Sequence, residues 1–303
     1  MRNLLRIVRN NIIDLAFRFR NKAIRAMSSK TVISADDSKS DSEVSFYVSS
    51  VDTINSNPKK FGRFRRIYNY REILEHVTFR QGIKYLKKIE NQNPDLYLNF
   101  PKRHTNDLIG KPRRYIFLQD VDISPTTIRY LSVASEIQSI FGTKVAGNVV
   151  EIGGGYGGQC AVFQDFFQVN EYEIYDLPNV QRLIEKFLVA IGRSQNVRFP
   201  EFGQTHDTPI NFAVSNYAFS ELPRQIQTWY LENILKKSEA GYMIMNSGRA
   251  DFTGRNKGKL SIQEIQAVIT GSRLVEEAPR TNPDNYVLVW GKHLNLEHCS
   301  EIR

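Results

Sequence analysis

A glycine-rich turn after a short apolar run constrains this chain more than any other feature. The segment VVEIGGGYGGQC spans residues 149–160 and places five glycines among the six positions 153–158. Glycine accepts positive φ angles and lets a ligand approach the main chain, and a helix start offers unpaired amide donors. The pattern predicts a buried strand, a turn and a helix, with a nucleotide-like molecule resting on the turn.

From Gly147 onward the sequence alternates short apolar runs with helical stretches, as expected for a parallel sheet with crossover helices. Seven strands are predicted, at residues 148–152, 171–176, 196–199, 211–216, 241–247, 275–279 and 285–290. The last two are joined by RTNPD, which is too short for a crossover helix, so they should form an antiparallel hairpin. The predicted fold class is α/β, a Rossmann-like seven-stranded sheet with an antiparallel last hairpin, preceded by a mainly helical N-terminal region.

The sequence divides into four parts. Residues 1–27 carry seven basic and one acidic side chain, with apolar residues along one helical stripe. Such a basic amphipathic helix suits the surface of an anionic membrane, but a helix packed on protein and a transit peptide share the pattern. Residues 28–45 are small and polar and predict a flexible linker. Residues 46–144 predict a helical cap or substrate region, and residues 145–303 form the predicted cofactor-binding domain.

Charge and composition exclude several classes of protein. The net charge of +9 arises in the first half, because residues 145–303 carry 15 basic and 18 acidic side chains. No apolar stretch approaches the roughly 18–20 residues of a membrane-spanning helix. Cys160 and Cys299 lack CxxC spacing, which removes a disulfide framework and a cysteine zinc cluster. We expect a cytoplasmic protein, with residues 1–27 as a peripheral contact at the inner face of the membrane.

Two acidic residues near the turn bear on the ligand. Glu151 lies two residues before Gly153, the acidic position of the methyltransferase pattern (D/E)xGxGxG, where a carboxylate suits the cationic end of S-adenosylmethionine and would repel a pyrophosphate. Asp176 ends the second predicted strand and suits ribose hydroxyls in either class of enzyme. Gly153, Gly155 and Gly158 also satisfy GxGxxG, so a nicotinamide dehydrogenase stays an alternative, as does a purely structural turn. No tyrosine is followed four residues later by lysine, which removes the short-chain dehydrogenase dyad.

A resemblance to a known family rests on five motifs in order: YREILEHVTFRQGIKYL, SPTTIRY, EIGGGYGGQC, YDLPNV and VSNYAFSELP. Together they resemble the sugar O-methyltransferase family of bacteria, a class I group associated with decorating surface polysaccharides. The likeness covers residues 65–250 and leaves the first 45 residues outside. It implies a seven-stranded methyltransferase fold, S-adenosylmethionine as the cofactor and a glycan hydroxyl as the acceptor. The residues expected to bind the cofactor are Glu151, Gly153, Gly155, Tyr156, Gly157, Asp176, Leu177, Ser215, Asn216, Arg129 and Tyr130.

Methyl transfer to a hydroxyl is an in-line displacement that needs alignment and commonly a general base. The candidate catalytic residues are Glu221, His206 and Tyr217. Glu221 would orient or deprotonate the hydroxyl, and Tyr217, one helical turn earlier, would stack on a sugar ring or hydrogen-bond it. His206 follows the third strand as a candidate base, with a solvated loop histidine as the alternative. Asp207 and Asp251 are too scattered to predict a metal site, and we expect none.

Basic residues in the helical region suggest a saccharide acceptor that carries phosphate, such as a nucleotide sugar or a lipid-linked glycan. They are Lys59, Lys60, Arg63, Arg65, Arg66, Arg113 and Arg114. A solvated basic face is the alternative. Rival functions are methylation of RNA or of a small molecule, and a non-catalytic membrane-docked scaffold with a degenerate fold. Nucleic acid is the less favoured acceptor because neither basic cluster has the aromatic motif of a common RNA-binding module. Oligomerisation stays open.

Overall fold

The structure, a computed structural model, describes residues 45–101, 103–117, 120–142, 145–204, 208–246 and 258–302. The predictions for residues 1–27 and, up to residue 44, for the linker lie outside these ranges. So do those for His206, Asp207 and Asp251. Within the described ranges no helix combines the length and apolar character needed to cross a bilayer.

The strands form a small hairpin and a seven-stranded sheet. In chain order they are β1 (Tyr115–Ile116), β2 (Asp122–Ile123), β3 (Ala146–Ile152), β4 (Gln168–Tyr175), β5 (Val197–Arg198), β6 (Ile210–Asn216), β7 (Ser238–Met245), β8 (Arg273–Glu276) and β9 (Tyr286–Trp290). β1 and β2 make the hairpin, and the sheet has the order β5-β4-β3-β6-β7-β9-β8. The first five strands of that order run parallel, and β9 is antiparallel to β7 and β8. The predicted fold class is confirmed.

The sixth predicted strand is displaced in the structure. The prediction covered residues 275–279, whereas β8 spans Arg273–Glu276 and Glu277 lies beyond its end. Pro279 has no amide hydrogen for a strand ladder, so this segment is a poor strand interior. The displacement lets Glu277 contact Tyr217 after the end of β6. The other six predicted strands overlap β3, β4, β5, β6, β7 and β9.

Helices flank the sheet and make up most of the N-terminal region. In chain order they are α1 (Ser45–Ser56), α2 (Pro58–Phe61), α3 (Tyr68–Leu74), α4 (Phe79–Gln92), α5 (Pro94–Leu98), α6 (Pro125–Phe141), α7 (Gly158–Phe166), α8 (Pro178–Ala190), α9 (Ala218–Glu221), α10 (Arg224–Tyr230) and α11 (Ile262–Val268). A π-helical turn at Leu231–Leu235 extends α10. Successive residues of β3 alternate between two apolar cores, because strand side chains point to opposite faces. Val149 belongs to the core under α6, α7 and α8, and Val150 to the core under α9, α10 and α11.

Within the predicted helical region, the stretch from residue 68 to residue 92 forms two helices. α3 ends at Leu74, and α4 begins after Thr78. The Thr78 hydroxyl accepts from the Gln81 amide while the Gln81 side chain accepts from the Thr78 amide, a capping box that starts a new helix. Ser124 caps α6, with its hydroxyl accepting from the Thr127 amide.

The N-terminal helices are joined to the sheet domain beside the glycine turn. Asn55 Nδ2 in α1 donates to the Asn179 carbonyl in α8 at 2.7 Å, and Asn179 Nδ2 donates to the Val48 carbonyl at 3.3 Å. A Cβ on Gly155 would lie 3.4 Å from a methyl carbon of Leu74 in α3. The helical region therefore borders the turn.

Candidate functional site

The glycine turn connects β3 to α7 through three positive φ angles. The φ angle is 83° at Gly153, 62° at Gly155 and 88° at Gly157. A Cβ on Gly153 would lie 2.0 Å from the Cβ of Ala218, closer than any real contact. The turn is therefore pressed against the segment that follows β6, and only glycine fits at its first position.

Asp176 lies just beyond β4 with its carboxylate at the turn. Oδ2 accepts from the Gly155 amide at 3.3 Å, and Oδ1 accepts from the Leu177 amide at 2.7 Å. Burial raises the pKa of the Asp176 carboxyl to about 6, and the amide hydrogen bonds oppose the rise. The structure thus brings together Asp176, Leu177 and Gly155, three of the predicted cofactor-binding residues.

Glu151 lies in β3, one residue before the strand ends. Its side chain is buried, and Oε2 accepts from the Tyr172 hydroxyl at 3.0 Å. Burial raises the pKa of the Glu151 carboxyl to about 8, which the Tyr172 hydrogen bond partly offsets. A neighbouring cation would favour the charged carboxylate, because an opposite charge lowers the pKa of an acid.

Two predicted cofactor-binding side chains lie in the core. Tyr156 is fully buried, with its ring centroid 4.9 Å from that of Phe187 in α8. The buried Ser215 hydroxyl donates to the Ile152 carbonyl at 2.8 Å and accepts from the Phe219 amide at 3.1 Å. These positions do not support side-chain contact with a ligand. Tyr156 instead fixes α8 against the turn, and Ser215 joins the ends of β3 and β6.

Asn216, the last residue of β6, has an unsatisfied buried atom. Its Nδ2 donates to Gln159 Oε1 in α7 at 3.2 Å. Its Oδ1 is buried and has no hydrogen-bond partner among the described residues. A buried acceptor without a donor costs about 1–3 kcal/mol, so a ligand donor at this point would be stabilising. Asn216 therefore stays a candidate for binding the cofactor.

Arg129 and Tyr130 extend from the first turns of α6 beside the glycine turn. The Tyr130 ring lies 5.9 Å from the Tyr156 ring, and a Cβ on Gly158 would meet it at 2.5 Å. The Arg129 guanidinium carbon lies 5.4 Å from the Tyr130 ring centroid. Arg129 is 8% exposed, and no carboxylate in the described part of the chain forms an ion pair with it. Its guanidinium is hydrogen-bonded to Tyr130 and lies near the hydroxyls of Tyr85 and Tyr217.

The structure gives Tyr217 and Glu221, which the sequence placed together, different hydrogen-bond partners. Glu221 Oε1 accepts from Asn246 Nδ2 at 2.9 Å, beyond the end of β7. The Tyr217 hydroxyl instead donates to Glu277. Tyr217 also has φ 71°, which costs a residue other than glycine roughly 1–3 kcal/mol and is often found at functional sites. The position of His206 lies outside the described ranges.

A cleft beside Tyr217 contains residues that the sequence analysis missed. Its polar and charged lining includes Tyr85, Lys88, Arg129, Glu136, Tyr217 and Glu277. Lys88 pairs with Glu136 at 2.7 Å. Glu277 had no sequence signal, because it lies 60 residues after Tyr217 and in a segment predicted as a strand.

The basic residues of the helical region do not all face solvent. Arg65 is buried, with Nε 2.5 Å from Glu75 Oε1 and Nη1 3.0 Å from Asp107 Oδ1. Its Nη2 donates to the Ser124 hydroxyl at 3.0 Å. The expectation that Arg65 contacts the acceptor is therefore wrong, because its charge is neutralised inside the protein. Lys59, Lys60, Arg63, Arg66, Arg113 and Arg114 are exposed or half-buried.

The residues around the turn fit a nucleoside with a cationic end. Asp176 supplies an acceptor at the second strand, the buried Glu151 carboxyl would be charged beside a cation, and Asn216 Oδ1 lacks a donor. Gly153 and Gly155 add no side chain of their own to the turn, although Ala218 packs against Gly153 and Leu74 lies beside Gly155. Among the described residues, no group of three His, Cys, Asp or Glu side chains is placed to hold a metal ion.

Comparison with known proteins gives matches to solved structures alone. No family model matches the chain, and neither does any curated protein sequence. A SAM-dependent methyltransferase from Aquifex aeolicus is 16% identical over 47% of this chain and 80% of its own, with a TM-score of 0.34. An O-methyltransferase family protein from Burkholderia thailandensis is 14% identical over 69% and 70%, with a TM-score of 0.36. TrmK from M. capricolum, in complex with the cofactor product S-adenosyl-homocysteine, is 12% identical over 55% and 71%, with a TM-score of 0.37. The strand order of the sheet, rather than these distant likenesses, carries the fold assignment.

Proposed function

We propose that this protein is an S-adenosylmethionine-dependent O-methyltransferase that acts on a sugar hydroxyl. The proposal is carried by the arrangement of two carboxyl groups at the glycine turn. Asp176, at the end of β4, accepts a hydrogen bond from the Gly155 amide. The hydroxyls of a bound ribose would donate to the same carboxylate, beside that hydrogen bond or in place of it. Glu151 is buried beneath the same turn, where a sulfonium nucleoside with an ammonium group would favour its charged form.

Two observations favour this ligand over a dinucleotide. The phosphates of a dinucleotide would oppose ionisation of the Glu151 carboxyl, whereas a cationic ligand favours its charged form. The sheet also differs in strand order from dinucleotide-binding domains. In those domains the sixth strand lies at the edge of the sheet, beside the fifth strand. Here β9 lies between β7 and β8 and runs antiparallel to both.

The choice of a sugar hydroxyl rests on the resemblance of the ordered motifs and on the groups beside Tyr217. Tyr217, Tyr85 and Arg129 line one small cavity with room for about one water molecule, and they offer hydroxyls, aromatic faces and a cation to a polar group that enters it. The exposed basic side chains at Lys59 and Arg63 favour a phosphate-bearing form of that acceptor. Alignment of the hydroxyl with the methyl group would supply much of the rate enhancement.

Cofactor binding is tested by isothermal titration of S-adenosylmethionine into the full chain. We expect wild-type protein to bind, and Asp176→Ala to bind about 10- to 100-fold more weakly, since hydrogen bonds to a charged group are worth about 1.5–3 kcal/mol. Asp52→Ala is the matched control, because Asp52 is half exposed and lies 3.9 Å from Arg182 on the surface. Absence of heat with wild-type protein at millimolar ligand would favour the scaffold alternative.

The acceptor class is tested by transfer of a tritiated methyl group. Nucleotide sugars, methyl glycosides and extracted glycolipids are compared with total RNA and with small catechols. We expect label in a saccharide fraction that resists mild base, as a methyl ether does and a methyl ester does not. Label confined to RNA or to the small molecules would replace the sugar proposal with the corresponding alternative.

A further inference from the structure

Glu277 is a buried carboxylate held by several donors at one end of the cleft. It is 6% exposed, and its Oε2 accepts from the Thr281 amide at 2.7 Å and from Asn285 Nδ2 at 3.1 Å. The Thr281 hydroxyl lies 2.9 Å from its Oε1. The same Oε1 accepts from the Tyr217 hydroxyl. This network keeps the carboxylate in one position and directs the Tyr217 proton toward it.

Tyr217 lies where the methyl group would be transferred. It follows Asn216 at the end of β6, and the next residue, Ala218, is the one that excludes a Cβ from Gly153. The Tyr217 amide donates to the Ile244 carbonyl at 2.8 Å, which holds the positive φ angle in place. A molecule resting on the glycine turn would therefore be next to Tyr217.

Arg129 faces the same cleft. It lines the cleft with Tyr217 and Glu277, it is 8% exposed, and among the described residues no carboxylate pairs with it. Lys88 and Glu136, the other charged residues of the cleft, neutralise each other at 2.7 Å. The cation is thus placed to stabilise negative charge that develops on an oxygen near Tyr217.

Given the proposed methyl transfer, we propose that Tyr217 is the catalytic residue that takes the proton of the acceptor hydroxyl, and that Glu277 receives the proton of Tyr217. As the acceptor oxygen forms its bond to the methyl carbon, the carbon–sulfur bond breaks and its electron pair stays on sulfur. The hydroxyl proton moves to Tyr217 Oη, and the Tyr217 proton moves to Glu277 Oε1. The products are the methyl ether, the neutral thioether S-adenosylhomocysteine and a protonated Glu277, so charge and atoms balance. Glu277 is a positioning residue, because it acts through Tyr217.

The structure favours this pair over the acid suggested by the sequence. Glu221 is hydrogen-bonded to Asn246, whereas the Tyr217 hydroxyl donates to Glu277. A relay also gives a reason for the positive φ angle of Tyr217 and for its position beside Glu277, a carboxylate that accepts several hydrogen bonds.

The relay is tested with Tyr217→Phe and Glu277→Gln, using the saccharide that wild-type protein methylates best. We expect kcat to fall at least about 100-fold in each variant, which is the smallest rate loss usual when a general base is removed. The Kd for S-adenosylmethionine should change less than about twofold. Tyr175→Phe is the matched control, because the Tyr175 hydroxyl also makes a hydrogen bond, to the Gln204 carbonyl at 3.4 Å, and Tyr175 does not line this cleft. It should keep kcat within about threefold of wild type. Wild-type kcat in either relay variant would overturn the proposal.

A proton inventory separates a relay from a purely structural role. Single-turnover rates are measured in mixtures of H₂O and D₂O with S-adenosylmethionine already bound. Transfer of two protons predicts a curved dependence on the deuterium fraction for wild type and Tyr175→Phe, and a linear or flat one for Tyr217→Phe. A linear wild-type inventory would reject the relay even if both substitutions were slow. Absence of S-adenosylmethionine binding, or binding with no saccharide methylated, would instead reject the proposed function, and with it the relay.

Discussion

Glu151 should make the affinity for S-adenosylmethionine depend on pH. Burial raises the pKa of this carboxyl to about 8, so the free protein holds a proton there at neutral pH. The ligand is cationic, and a cation favours the carboxylate over the neutral acid. Binding therefore releases a proton, and affinity rises with pH until the free protein has itself lost that proton.

The magnitude follows from proton linkage. If Glu151 is ionised in the complex, association is about 16-fold weaker at about pH 6.5 than at about pH 8. Asp176 adds less than about twofold in this range, because its pKa is raised only to about 6 and it is mostly ionised already. About 0.9 proton should be released per ligand bound near pH 7.

Titration calorimetry in two buffers with different ionisation enthalpies measures both the affinity and the number of protons released. Glu151→Gln keeps the shape of the side chain and an acceptor for the Tyr172 hydroxyl, and its affinity should be almost independent of pH above about 6.5. Glu173→Gln is the matched control: burial raises the pKa of Glu173 to about 7, but its charged neighbours are Glu171 and Arg198. A flat wild-type profile, or the same slope in Glu151→Gln, would refute the reasoning.

Two further predictions concern stability, measured by urea denaturation. Gly153→Ala should lower the free energy of unfolding by more than the roughly 1 kcal/mol expected for Gly142→Ala. Both positions have positive φ, but only at Gly153 would the added Cβ also meet a side chain, the Cβ of Ala218. Equal losses would contradict the packing argument. Arg65→Met should cost about 3–5 kcal/mol, because it leaves the buried Glu75 carboxyl without its partner. A loss below about 1 kcal/mol would show that the pair is not buried in solution.

The parts of the site that the sequence predicted well are local in the chain. Gly153, Gly155 and Gly157 have the positive φ angles that a glycine-rich turn requires, and Glu151 precedes them by two to six positions. Asp176 is found at the turn because adjacent parallel strands end at the same edge of a sheet. Strand spacing and turn chemistry were sufficient to predict the glycine turn, the position of Asp176 and the antiparallel pairing of the last two strands.

Errors arose where a residue type suits either a core or a ligand. Tyr156 lies inside the glycine turn, yet its ring packs on Phe187 from α8. Arg65 belongs to a run of basic residues, but Glu75 and Asp107 turn it inward. In both cases the deciding neighbours come from other elements, so the local pattern carried no information about them.

The sequence by itself determined the order of the elements, the glycine turn and the acids that accompany it, because these depend on φ angles, strand period and chain connectivity. Tertiary structure alone decided which polar groups share a pocket. Glu277 contacts Tyr217 across 60 residues only because β8 ends at Glu276 and β9 returns beside β7. Burial, which raises the pKa of Glu151 and leaves Arg129 only 8% exposed, likewise depends on how distant segments pack. Contacts of this kind are specified by the whole fold and by no single stretch of chain.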